Sequence, residues 1–243
     1  MVDLNKYDFV KTKHGDIWKY LISADNAILA AKVYKLLITE CLKNKTTTIE
    51  KILSGNIDTP EYERKSFVPD GTIQIGEERI EFNTLIYVYT TGFFQECRNF
   101  FDYIAQVIVP LFAIDEKKYN NISFSTTVVN MDFGKQDDIS KYVKKISESN
   151  EYRYLCDYNN TVKHNYNLGI TGKLDLSDYT VHVKVPKFER KGKKYSSEDL
   201  ENIMKKMYEF INSLFIEFSD LVQSKIDSQK EELNTSNDTS TKE

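Results

Sequence analysis

The sequence predicts a mainly α protein, a helical bundle around one long central apolar helix with two small β-hairpins inserted. Three observations predict it. Long segments repeat apolar residues at i, i+3, i+4 and i+7, the period of a helix with one buried face. The segment from Phe93 to Phe112 is apolar nearly all round, which places its helix at the centre of a bundle. Two short runs, near residues 72–82 and 173–187, alternate about turn residues and read as hairpins.

In order, Ile17 to Lys43 carries Ile17, Trp18, Leu21, Ile28, Leu29, Val33, Leu36, Leu37 and Cys41 at helical spacing, with Asp16 as N-cap. His14 precedes it as a surface histidine. A second short helix is expected from Thr48 to Leu53, stopped by Ser54 and Gly55. A polar loop then runs from Pro60 to the turn cluster Pro69, Asp70 and Gly71. Thr72 to Ile75 and Arg79 to Phe82 form the first hairpin about Gly76 and Glu77. Asn83 caps the central helix, which ends near Pro110. The β-branched residues Thr126, Thr127, Val128 and Val129 predict a strand over Asn121 to Val129.

Asp137 or Asp138 opens a helix to about Ile146, and Tyr152 to Asn167 reads as the next. Leu174, Leu176, Tyr179, Val181, Val183 and Val185 give the second hairpin, turning at Ser177 and Asp178. KVPKFERKGKK, with Lys184, Lys187, Arg190, Lys191, Lys193 and Lys194, reads as an exposed basic loop, with phosphate contact as the sharper alternative. Ser196 and Ser197 open a last helix that keeps its period to about Ile226. One domain over residues 1–228 and a disordered tail over 229–243 follow.

Composition narrows the function classes. Charged residues at 29% and hydrophobic ones at 40% describe an ordinary soluble chain of 243 residues, long enough to bury a core. A net charge of -4 argues against coating nucleic acid by bulk charge. Cys41, Cys97 and Cys156 are widely spaced among apolar neighbours and read as reduced core residues. The amino terminus carries no apolar run of signal-peptide length, and the longest apolar run, Tyr103 to Ile114, is too short to cross a bilayer, so a cytoplasmic protein without membrane partners is expected. No cofactor or metal is expected either, since the polar stripes hold only one histidine, with no second ligand pair at i+3 or i+4, and no phosphate-binding glycine loop occurs.

Two polar stripes stand out. Arg153, Asp157, Asn160 and His164 fall on one helical face at i, i+4, i+7 and i+11, with Lys163 beside them. On the central helix Gln95, Asn99, Asp102 and Gln106 repeat the same spacing, with Arg98 next to them. An unpaired buried polar group costs about 1 to 3 kcal/mol, so the two stripes are expected to face each other.

The segments FFQECRNFFDYIAQVI (Phe93 to Ile108) and YNNTVKHNYN (Tyr158 to Asn167) resemble bacterial helical proteins in which an arginine and an LDH-like segment precede an NNxxKH segment. That group resembles the HEPN superfamily. The resemblance implies either a metal-independent ribonuclease of toxin or phage-defence systems, or a non-catalytic nucleotide-binding or dimerising module. In the HEPN ribonuclease motif an arginine precedes the histidine by four to six residues. His164 matches the histidine, Asn159 or Asn160 holds the place of the arginine, and Tyr103 replaces the histidine that follows Asp102.

The favoured reading is a non-catalytic interaction or assembly module with a buried polar network, a homodimer or bound to a partner protein. The alternative is a HEPN-like ribonuclease or nucleotide-binding component acting on RNA or a nucleotide, with His164, Lys163, Asn160, Arg98 and Asp102 at its site.

Overall fold

A computed structural model describes residues 15–53, 72–75, 77–112, 122–132, 137–165, 168, 170–174 and 181–240. His14, the loop from Pro60 to Gly71, Gly76 of the first turn, and the turn at Ser177 and Asp178 lie outside the described residues.

The protein is mainly α. Among the described residues the helices are α1 (Gly15–Leu53), α2 (Phe82–Leu111), α3 (Phe124–Asn130), α4 (Asp138–Glu148), α5 (Asn150–Asn165) and α6 (Leu200–Ser240). The strands are β1 (Thr72–Ile75), β2 (Glu78–Glu81), β3 (Thr171–Leu174), β4 (Val181–Val185), β5 (Phe188–Arg190), β6 (Lys193–Tyr195) and β7 (Glu198–Asp199). All pairings are antiparallel: β1 with β2, β5 with β6, and a three-stranded order β3-β4-β7. No helix among the described residues is long and apolar enough to cross a membrane.

The two hairpins near 72–82 and 173–187 form where alternation predicts them. Four elements depart from expectation. α1 is one helix to Leu53, because nothing in CLKNKTTTIEKIL interrupts a helix once it is propagating. The strand expected over Asn121 to Val129 is the short helix α3. Its N-cap Ser123 accepts from Thr126 N–H while the Thr126 hydroxyl accepts from Ser123 N–H, a capping box that overrides the β-branched run. The basic loop is the hairpin β5–β6, whose two-residue turn puts Lys191 and Gly192 both at positive φ, 49° and 78°. α6 continues to Ser240, beyond Ile226 where its apolar period fades.

The chain divides into two units. The first holds residues 1–29, 97–153 and 209–243, the second residues 30–96 and 154–208. The core of the first is aromatic. Phe101 meets Phe124, Tyr152 and Phe210, and Phe100 meets Phe215 at 6.0 Å edge to face. Tyr142 of α4 stacks on Phe218 of α6 and donates its hydroxyl proton to the Leu214 carbonyl at 2.9 Å, so its buried oxygen is satisfied. Each fully buried phenylalanine contributes about 1.5–3 kcal/mol of transfer free energy, and the central helix supplies Phe100 and Phe101 at 0% exposure to this unit.

In the second unit Phe93 and Phe94 of α2 are likewise fully buried. Phe94 lies 4.1 Å, centroid to centroid, from Tyr158 of α5. α1 packs on α2 where Tyr34 and Tyr89 approach at 6.3 Å. There the glycine of α2 leaves room for the tyrosine ring: a Cβ on Gly92 would stand 2.5 Å from Cζ of Tyr34. Alanine normally gains about 1 kcal/mol over glycine inside a helix. Gly92→Ala is therefore expected to realise that gain only in a Tyr34→Ala background. In the wild-type background the tyrosine ring must swing away, and the gain is lost or reversed, a coupling that a double-mutant cycle by urea denaturation reads directly.

Candidate functional site

Asp102 and Gln106 of the α2 stripe find partners inside the first unit. Asp102 Oδ1 accepts the backbone N–H of Phe124 at 3.0 Å, the first residue of α3. Four residues on, Gln106 Nε2 donates to the Ile122 carbonyl at 2.6 Å. Asp102 and Gln106 thus hold the entry to α3 against the central helix. A carboxylate at that end also faces the positive pole of the α3 backbone.

Arg98 completes the cluster. Its Nη2 lies 3.5 Å from Asp102 Oδ1 and its Nη1 donates to the Tyr152 hydroxyl at 3.0 Å. The same guanidinium stands 5.8 Å from the Tyr152 ring centroid. Tyr152 packs edge to face on Phe101 and Phe124 at 4.9 and 5.0 Å. The residue of α5 that answers the α2 stripe here is therefore Tyr152, which helical spacing places on the face opposite Arg153 and His164. Arg153 itself is exposed and its Nε reaches the Ser147 carbonyl at 3.4 Å.

Asn160, Lys163 and His164 belong to the second unit, on the last turns of α5, and all three are exposed. This corrects the expectation of a buried stripe. The buried face of these turns carries Tyr154, Leu155, Tyr158, Asn159 and Thr161 instead. Asn159 donates its amide to the Phe94 carbonyl at 3.2 Å, and the Thr161 hydroxyl to the Asp157 carbonyl at 2.7 Å. Asp157 of the stripe is tied to the β5–β6 hairpin, accepting from the Tyr195 hydroxyl at 2.6 Å. Among the described residues no carboxylate is hydrogen-bonded to the His164 imidazole.

Tyr195 was invisible to a search for charged motifs, and so was the hairpin that carries it. Phe188 and Tyr195 are paired across β5 and β6 and stack at 4.5 Å. Tyr154 meets both edge to face, at 5.5 and 5.3 Å, and Tyr158 meets Phe188 at 6.1 Å. The signal that could have revealed it is FERKGKKY, aromatic residues at both ends of a short alternating run about Lys-Gly.

This anchor leaves the rest of the hairpin turned to solvent, with Lys187, Lys191, Lys193 and Lys194 exposed and Lys184 exposed on β4. Lys193 Nζ sits 5.0 Å from the Tyr195 ring centroid. The buried Nε of Arg190 has no acceptor among the described residues. Lys163, on the last turn of α5, is exposed within the same unit.

Other chemistries find little to use. Among the described residues no group of three or more histidines, cysteines and acids is placed to hold a metal ion. Cys41 and Cys97 are buried free thiols and Cys156 is half-buried. Burial, and after it the charge of Glu40, pushes the Cys41 thiol up, away from the thiolate a nucleophile needs.

The aromatic anchor makes a pH-dependent contribution. Burial pushes the Tyr154 phenol well above its ordinary value, with Tyr158, Glu198 and Tyr195 adding repulsion. Tyr158 is raised by burial and then by Tyr87. The folded protein holds these protons to a higher pH than the unfolded chain, whose tyrosines ionise near 10. Their contribution is intact below that value and is lost as pH rises above it. The midpoint of urea unfolding is expected to fall between about pH 9.5 and 11, and more gently in Tyr154→Phe, which has no proton to lose at that position.

A family model for Cthe2314-like HEPN domains matches residues 61–219, more than half of the chain. No curated protein and no solved structure matches it.

Proposed function

Because the chain belongs to the Cthe2314-like HEPN family, we propose that it is a non-catalytic HEPN module that binds RNA or a nucleotide and assembles with a second protein chain. The observation that carries the first part of this reading is the commitment of Arg98 and Asp102. RNA cleavage requires a group that stabilises charge on the phosphorane and a proton carrier positioned beside it. Arg98 is spent on Tyr152 and Asp102, and Asp102 on the entry to α3. His164 is left exposed, and the position of the family's arginine holds Asn159 or Asn160, of which Asn159 is bound to the Phe94 carbonyl.

Binding needs less. The segment from Lys184 to Lys194 holds six cations against the single carboxylate of Glu189, in a chain whose net charge is -4. A hairpin spaces such side chains on a firm backbone, and phosphate neutralisation by lysine and arginine is the general source of nucleic-acid affinity. The Nε of Arg190, which has no acceptor among the described residues, favours an anion at this hairpin. A second reading, a ribonuclease of a toxin or defence system, is favoured by one observation, the adjacency of Lys163 and His164 at an exposed helix end.

The binding half is tested by fluorescence anisotropy with a labelled single-stranded RNA and with a labelled nucleotide. Wild type is expected to bind with a salt-dependent affinity. Lys191→Glu, Lys193→Glu and Lys194→Glu combined are expected to weaken it at least tenfold and to flatten the slope of log K against log salt by about two to three. Equal affinity of the variant and wild type, with folding verified by circular dichroism, would remove the hairpin from the reading.

A further inference from the structure

The first unit contains a cleft of about 280 Å³. Phe112, just beyond α2, joins Ile139 of α4 and Leu221 of α6 to make its apolar part. Lys225 lines it from α6, and Asp137 and Asp138 from the start of α4. Ligand sites usually span roughly 300 to 1,000 Å³, so the space suits a small molecule of few heavy atoms.

The charges around the cleft are of both signs and unevenly committed. Asp138 pairs with Lys141 at 3.2 Å and is neutralised in place. Asp137, the N-cap of α4, spends Oδ1 on the Ser140 N–H at 2.8 Å and keeps its Oδ2 and its charge. Lys225 is half-buried, and among the described residues its ammonium has no ion pair or hydrogen bond. Its own helix offers none, since no acid stands three or four residues away and Asp227 accepts from Gln223. Lys225 and Asp137 therefore border one apolar cleft without pairing across it. A half-buried charge with no counter-charge gives up solvation and recovers nothing for it. A simple anion would answer Lys225 and be repelled by Asp137, and a simple amine the reverse. A molecule with both charges on one carbon answers both, and an apolar side chain on that carbon covers Phe112, Ile139 and Leu221. We propose that this cleft binds a free α-amino acid with an apolar side chain, its carboxylate toward Lys225 and its ammonium toward Asp137. The site belongs to the first unit and does not depend on the cationic hairpin of the second.

Isothermal titration calorimetry of the full chain with L-leucine and with L-phenylalanine tests it. At least one of the two is expected to bind saturably, in the millimolar range or tighter. The analogues without the ammonium, isocaproate and hydrocinnamate, and those without the carboxylate, isoamylamine and phenethylamine, are each expected to bind about tenfold more weakly or worse than their parent. Glycine, which has no side chain to cover the apolar part, is expected to bind as poorly. Lys225→Gln and Asp137→Asn are each expected to weaken the amino acid by about tenfold or more. Asparagine caps a helix as aspartate does, so the second variant removes the charge and keeps α4, and circular dichroism checks that both variants are folded. No binding of either amino acid, an acid or amine analogue as tight as its parent, or folded variants of wild-type affinity would each overturn the assignment.

Discussion

The carboxylate of Asp102 is the group on which the site depends. It accepts the first backbone N–H of α3 and sits beside Arg98, which reaches Tyr152. One side chain thereby connects three helices of the first unit. Removing a cap of this kind costs about 0.5 to 2 kcal/mol, and here a half-buried guanidinium would also lose its counter-ion. Arg98 and Asp102 are thereby engaged in holding α2, α3 and α5 together.

In the second unit aromatic rings do the corresponding work. Phe94, Tyr154, Tyr158, Phe188 and Tyr195 join α2, α5 and the β5–β6 hairpin in continuous ring contacts. Edge-to-face and offset pairs contribute about 0.5 to 1.5 kcal/mol each beyond their burial. The bond from Tyr195 to Asp157 orients the hairpin by a polar contact at the edge of that cluster. In the proposed reading this apolar root presents the hairpin lysines on a backbone that is ordered before an anion binds.

Much of this was legible in the sequence. The apolar period gave the long helices, and the alternation gave β1–β2 and β3–β4. The polar stripe of α2 was correctly read as needing partners. The partners of Asp102 and Gln106 were not legible, because Phe124 and Ile122 offer a backbone N–H and a backbone carbonyl, and backbone groups leave no mark on side-chain pattern. α3 was read as a strand since Thr126 to Val129 favour strands, while its capping box uses threonine where glutamate or glutamine is the familiar signal. The hairpin β5–β6 was hidden by its own charge, and the exposure of Val33, Leu36 and Leu37 on α1 by the assumption that periodic apolar residues are all core.

The central claim, that the stripe around Asp102 is structural and not catalytic, is tested most directly by Asp102→Ala and His164→Ala, each measured for thermal unfolding and for cleavage of a labelled RNA. Asp102→Ala is expected to unfold at a lower temperature and His164→Ala at the wild-type temperature, with the RNA left intact by all three proteins. Cleavage by the wild type that either substitution abolishes without lowering the unfolding temperature would contradict it.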